Sequence, residues 1–444
     1  MSTATGEAAV SRTSRALLAM AAVAVAFAAA DTYVVVLALP DMMTGVGVPI
    51  DQLQRAAPIV SGFLLGYVAM LPLIGRIADL RGRVPVLVMA LVLFALGSLI
   101  TTVAYDMPSI VAGRFLQGVG GGGLVPATLA LVADLYPVER RGVPLGVVSA
   151  VQEIGSVLGP LFGAAVLAVA DWRAIFAINL AVGLVLAAAI RALAPQQRPP
   201  GRRRRPDLVG LLLLLATFAC AAVVFLRPAP LMRDLTWGRL FVPFAGDGRW
   251  LTPIGMATVV ALVLLLTWCW FAPRPLLDLR GWTRVLVDAD LVGALLLAAA
   301  LGGVILAFAT ADPKVEVFSP QGRWYLVGAL VAAAAFTWHV RRAARPLVPR
   351  GALRRTPAWG ALLVSFFVGA ALIAALIDIP LFARTTVYPD DQLPAALVLV
   401  RFLLALPVGA VVGGYLIRFL SPGVVTAFGM LLAATGFVLM TRWG

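Results

Sequence analysis

The chain has 444 residues, of which 61% are hydrophobic and only 13% charged, with a formal net charge of +14. Ordinary soluble domains are about 45–50% apolar and about 25% charged. A soluble enzyme, a nucleic-acid-binding domain and a disordered chain are therefore excluded, and an all-α polytopic membrane protein remains.

The base is almost wholly arginine, with Lys314 the only lysine. Cys220 and Cys269 both lie inside apolar runs, which argues against a disulfide framework and a zinc site. His339 is the only histidine, so histidine-based metal or acid–base chemistry is not expected. No cofactor and no nucleic-acid partner are expected.

A hydrocarbon core of about 30 Å needs about 20 apolar residues in a helix. Thirteen runs answer to that: 16–40, 56–74, 84–104, 108–133, 143–168, 173–193, 208–226, 251–272, 291–310, 324–340, 358–382, 393–417 and 422–441. Ala26-Phe27-Ala28 imitates a secretory cleavage site, but the first run continues past it to Pro40 and reads as a retained span. The runs are uniformly apolar rather than alternating, so helices are preferred to a barrel. Starting the N-terminus in the cytoplasm and alternating sides puts most arginines on the cytoplasmic side. Stretches 191–205 and 341–355 dominate that bias and also suit anionic headgroups. The expected location is a plasma or inner membrane, crossed many times.

The first six runs form a bundle over 1–193, followed by a basic linker over 194–206. Beyond it lies an internal repeat. Asp207-Leu208-Val209-Gly210 recurs as Asp290-Leu291-Val292-Gly293, and Gly248-Arg249-Trp250 as Gly322-Arg323-Trp324. Arg274-Pro275-Leu276 recurs as Arg345-Pro346-Leu347. The repeat predicts two helix hairpins, 207–281 and 282–351. Residues 352–444 then supply three runs, an apparently incomplete second bundle.

Three segments carry chemistry. The turn after run two reads Gly75-Arg76-Ile77-Ala78-Asp79-Leu80-Arg81-Gly82-Arg83. Gly75 and Gly82 permit a tight turn, while Asp79 can cap a helix or pair with an arginine such as Arg83. Run four carries Arg114-Phe115-Leu116-Gln117-Gly118-Val119-Gly120-Gly121-Gly122-Gly123. An arginine inside a span costs roughly 2.5–3.5 kcal/mol on insertion scales and should face a partner or a wet cavity. Gly118 and its neighbours either pack a helix closely or serve a motion. Run five reads Glu153-Ile154-Gly155-Ser156-Val157-Leu158-Gly159-Pro160-Leu161-Phe162-Gly163. Gly155 and Gly159 share one face, and Pro160 can kink the helix there.

These segments resemble the signatures of the major facilitator superfamily: G-x-L-a-D-r-x-G-r-k, R-x-x-q-G-x-g and the exporter-associated g-x-x-x-G-P-x-x-G. The first departs at Leu80 and Val84, where the family carries basic residues. Asp31-Thr32-Tyr33-Val34-Val35-Val36-Leu37-Ala38-Leu39-Pro40 resembles the first helix of fourteen-span drug/proton antiporters. Asp171-Trp172-Arg173-Ala174-Ile175-Phe176-Ala177-Ile178-Asn179 resembles their sixth. Residues 31–190 look closest to actinobacterial exporters of triacylglycerol-type lipids that work with a periplasmic lipoprotein. The resemblance implies a major-facilitator helical bundle with extra linker helices, efflux of a lipid or drug, and multidrug resistance as an associated trait.

Five charges fall well inside runs: Asp31, Arg114, Glu153, Asp378 and Arg401. Intramembrane charge is functional by default. Helix rise places Asp31 and Arg114 at similar depth, and puts Arg401 within reach of Glu153 or Asp378. A carboxylate in a low-dielectric cavity can take a proton near neutral pH. Asp31 and Glu153 are thus candidate proton-coupling acids, with Arg114, Arg401 and Asp378 as charge partners. A static buried ion pair is the competing reading. Phe63, Phe115, Phe162, Phe366 and Phe367 are candidate walls of an apolar path. The function expected is proton-coupled antiport that exports lipophilic substrates. The alternative is a truncated or degenerate membrane module that binds lipid or a partner without transporting.

Overall fold

The computed structural model describes residues 12–49, 53–194, 207–245, 248–309, 321–354, 356–382 and 392–442; some helical side chains, Asp378 among them, fall outside the described set. Every regular element among the described residues is helical. Apolar segments in lipid must satisfy their own backbone hydrogen bonds, which a helix does within one segment.

Six helices open the chain: α1 Arg12–Gly45, α2 Ala57–Arg81, α3 Arg83–Thr102, α4 Met107–Leu135, α5 Gly142–Leu167 and α6 Arg173–Leu193. Helix α4 lies between α2 and α3, α1 packs along α5, and α3 along α6. A capping box starts α4: Asp106 accepts from the Ser109 N–H at 3.0 Å, and the Asp106 N–H donates to the Ser109 hydroxyl at 3.3 Å. Glycine lets α4 sit this deep. A Cβ at Gly118 would overlap the Phe63 carbonyl of α2, and one at Gly120 the Phe94 backbone of α3.

Next come α7 Leu208–Leu226, the short α8 Ala229–Arg233, α9 Pro253–Phe271, α10 Leu279–Asp288, α11 Leu291–Ala309 and α12 Gly322–Arg342. The last three helices are α13 Thr356–Phe382, α14 Gln392–Leu416 and α15 Pro422–Met440. Among the described residues, ten helices are long and apolar enough to cross a membrane: α1 to α7, α9, α11 and α15. The expectation was thirteen. Helices α13 and α14 have 27 and 25 residues, and their described stretches Thr356–Leu372 and Arg401–Leu416 are apolar. Run 324–340 is helical, but Arg323, His339, Arg341 and Arg342 at its ends make α12 less apolar than the ten.

Helix α7 pairs with α9, and α11 with α12. Each pair carries the same clasp. Asp207 caps α7 through the Gly210 N–H at 2.8 Å and accepts from the Trp268 indole at 3.0 Å and the Leu276 N–H at 2.8 Å. Asp290 caps α11 through the Gly293 N–H at 3.1 Å, meets His339 Nε2 at 2.6 Å and accepts from the Leu347 N–H at 2.8 Å. One aspartate thus ties the start of the first helix to a ring nitrogen near the end of the second and to the chain beyond it.

Both carboxyls sit below the ordinary carboxylate range. For Asp207 the Gly210 N–H is the main cause. For Asp290 burial pushes upward, but the bonds from His339, Leu347 and Gly293 outweigh it. A folded pKa below the unfolded value of about 3.9 gives stability above that pH, lost as pH falls through the folded value. The clasps are therefore expected to hold throughout the neutral range and open only in acid. Replacing the buried Asp290 by Ala leaves two N–H groups without their acceptor. An expected cost of about 1–3 kcal/mol should show as faster hydrogen exchange in α11–α12 with α7–α9 unchanged.

Candidate functional site: a buried charge network between α1, α4 and α6

Besides a small cluster of Ala22, Val132 and Val148, the core of the six-helix bundle has two large apolar clusters. One gathers Leu17, Phe94, Leu124 and Ile190, the other Met42, Ile59, Ile110, Trp172 and Phe176. Between them lies a layer of polar residues. Asp31 of α1 and Arg114 of α4 are both fully buried, with Arg114 Nη1 donating to Asp31 Oδ2 at 2.5 Å. Gln117, one turn further along α4, accepts from Arg114 at 2.6 Å and donates to Asp31 Oδ1 at 3.0 Å. Asn179 of α6 donates to the same oxygen at 2.5 Å. The guanidinium also reaches the Ile59 carbonyl of α2 at 3.4 Å and lies over the Phe63 ring, 4.4 Å from its centre.

Two buried charges are costly unless paired and hydrogen-bonded. Here Asp31 receives three donors and Arg114 has two further acceptors, so the layer is internally satisfied. Asp31 is the point at which α1 joins the network of α4 and α6.

An apolar cavity of about 260 Å³ opens beside it, with Val23, Phe27, Leu158 and Phe162 in its wall; Asp31 and Asn179 border it, but the surface it presents is wholly apolar. It lies along the α1–α5 seam, where Gly155 and Gly159 face the Ala26 and Ala30 backbone; Gly163 is also buried. Pro160 stands inside α5 between them.

Of the sequence-predicted site residues, the structure brings Asp31 and Arg114 together. Glu153 stands half-buried on α5 and makes no ion pair among the described residues. Arg401 is exposed on α14. Among the described residues Arg401 and Glu153 form no pair: α5 and α14 pack together, Gly142 and Gly146 against Gly414 and Ala410, but Arg401 stays on an exposed face of α14. The Asp378 side chain lies outside the described residues. Of the candidate path walls, Phe162 lines the cavity and Phe115 is exposed, but Phe63 is packed under Arg114. Phe366 and Phe367 stack on each other, exposed on α13.

The turn motif is also revised. Residues 75–81 are the last helical turns of α2, and only Gly82, at φ +87°, makes the turn. A Cβ at Gly75 would meet nothing. Asp79 pairs with Arg83 at 2.6 Å, and Arg83 reaches Asp134 at the end of α4 at 3.2 Å. Both carboxylates are exposed although Arg83 is half-buried, and pairs so placed contribute little to stability.

Gln117 and Asn179 fall inside the signature segments, but neither is assigned a role from sequence. The available signal was an amide in an otherwise apolar span, at i+3 from Arg114 in one case.

Ten helices among the described residues that are long and apolar enough to cross a membrane, with a buried ionic layer inside the first bundle, define a polytopic α-helical membrane protein. More particularly, residues 21–340 match the Major Facilitator Superfamily, and the chain belongs to that family. It is 34% identical over 435 residues to a triacylglyceride transporter of Mycolicibacterium hassiacum, covering 97% of this chain and 66% of that protein. It is 34% identical over 422 residues to that of Mycobacteroides abscessus, covering 95% and 66%. Against the triacylglyceride transporter of Mycobacterium tuberculosis it is 33% identical over 433 residues, covering 97% and 68%. The chain thus spans about two thirds of the length of these relatives. A solved structure of the proton:xylose symporter XylE aligns over 97% of this chain and 90% of its own, at 15% identity and a TM-score of 0.42.

Proposed function

We propose that the chain is a proton-coupled membrane exporter of lipophilic substrates, with lipid favoured over drug. The single observation that carries this reading is the buried Asp31 network bordering an apolar cavity. The names of the relatives, triacylglyceride transporters, support a lipid as cargo. Protonating Asp31 removes the charge that holds Arg114, and Arg114 falls back on Gln117 and the Ile59 carbonyl. Helix α1 is then released from α4 and α6 and can shift along the small-residue face of α5. Cargo in the cavity favours the released state, and proton loss restores the network.

Glu153 acts as the second acid in this scheme. By helix rise it stands about 10 Å above the α5–α14 contact at Gly146, and Arg401 about 13 Å above it on α14. The two are free to pair when the helices rearrange. The 1–193 bundle and the 352–444 helices are the rocking units, with the 194–206 linker and the hairpins 207–281 and 282–351 beside them. The arginine-rich end is cytoplasmic, in a plasma or inner membrane, and lipid leaving at the far end passes to a periplasmic lipoprotein.

The test uses the full chain in vesicles with a labelled triacylglycerol and an imposed pH gradient. Flux is expected to follow the gradient and stop when an ionophore collapses it. Flux indifferent to the gradient would overturn the coupling. Lipid binding without flux would favour a non-transporting module.

A further inference from the structure

The two hairpins differ at the end away from their clasps. Twelve residues join α11 to α12, but 26 join α7 to α9. The described residues of the longer connection, 227–245 and 248–252, are held by their own contacts. Phe241 is buried, and the Phe244 N–H donates to the Leu251 carbonyl at 3.0 Å. Asp234 accepts from the Thr236 and Trp237 N–H groups at 2.8 and 2.9 Å. Arg249 donates to the Phe225 carbonyl at 3.0 Å and lies 3.7 Å from the centre of the Tyr105 ring. The Phe225 ring meets Tyr105 at a tilt and Trp250 edge to face. The loop is thereby bolted to the α3–α4 turn.

What this platform presents is unusual for a connection. Leu235 is 93% exposed, Phe244 72%, Val242 61% and Trp237 56%. Arg233 and Arg239 are exposed among them. Residues 227–252 hold four arginines against two aspartates, and the Asp234 carboxylate is already occupied by backbone. Arg227 stands close enough to Arg249 to lower the latter's pKa, after burial as the main cause.

Helices α7 and α9 have 19 residues each, about 28 Å of rise, which matches the hydrocarbon thickness. The platform therefore begins at the edge of the bilayer. Tryptophan and other aromatics settle at that depth, and arginines there meet lipid phosphates.

We propose that residues 227–245 and 248–252 form a membrane-interface platform. Leu235, Trp237, Val242 and Phe244 sink below the headgroups of the leaflet opposite the clasps, while Arg227, Arg233 and Arg239 engage anionic lipid phosphates. The occupant is the lipid surface rather than a protein or a free anion. This reading stands whether or not the chain couples transport to protons.

The test takes the full chain with Cys220→Ala and Cys269→Ala, and an environment-sensitive fluorophore on Leu235→Cys. It is placed in vesicles of phosphatidylcholine with phosphatidylglycerol. A nitroxide carried near the lipid headgroup is expected to quench the label, and aqueous iodide to leave it bright. Replacing Arg233 and Arg239 by Gln should lower the preference for phosphatidylglycerol by about fivefold per arginine. Inorganic phosphate should not compete. Quenching by iodide alone overturns the proposal. So does shielding from both quenchers with a larger particle, which would mean a protein contact. Displacement by phosphate would show a free-anion site and also overturn it.

Discussion

Asp31→Asn is expected to reduce gradient-driven lipid flux to that of empty vesicles. The substitution keeps the size of the side chain and removes its charge, so Arg114 is left buried without a counter-ion. Breaking one side of a buried pair costs about 3–5 kcal/mol, so the variant should also unfold at a lower temperature. Those two losses have different cures. The double variant Asp31→Asn with Arg114→Gln replaces the charges by amides that can still bond Gln117 and Asn179, and most of the stability should return. Flux should not, because nothing in the layer then takes up a proton. If flux returns together with stability, the pair is structural and the coupling role of Asp31 is lost. The two proteins are compared by thermal melting in detergent and by flux in vesicles of the same lipid.

The layer was partly legible in the residues themselves. Charges are rare in an apolar chain, and a fixed rise per residue converts sequence position into depth. That suffices to set Asp31 and Arg114 at one level. It says nothing of rotation about the helix axis. Gln117 and Asn179 complete the network only because their helices turn them inward, and Arg401 stays exposed at a height close to that of Glu153. The repeat was legible too, since Asp207 and Asp290 start the same four-residue phrase. Its purpose was not. The ring that closes the clasp is Trp268 in one copy and His339 in the other, and a shared nitrogen donor does not look like a repeat in letters. Run 324–340 shows a similar blindness, because the charges at the ends of α12 make it less apolar than the ten helices that qualify as spans.

The glycines set the sharpest contrast, and they support a second large prediction. Gly75 and Gly118 both stand in signature segments, and sequence treats them alike. In the structure they are opposites. Gly118→Ala should severely destabilise the bundle. Its Cβ would fall on the Phe63 carbonyl, which is helix backbone and cannot swing aside as a side chain would. Helices α2 and α4 must then part, and Phe63 lies under the guanidinium of Arg114. Overpacking costs typically about 1–3 kcal/mol and more where backbone is the obstacle. Separation of α2 from α4 also opens the ionic layer, so loss of the folded protein in detergent is the expected result. Gly75→Ala meets open space inside a helix. It should be neutral or raise stability by about 0.5–1 kcal/mol, the helical preference of alanine over glycine. A melting-temperature measurement on both variants checks the pair. Equal effects, in either direction, would mean that the α2–α4 approach is not as close as described, and the packing that seals Asp31 and Arg114 from lipid would need another explanation.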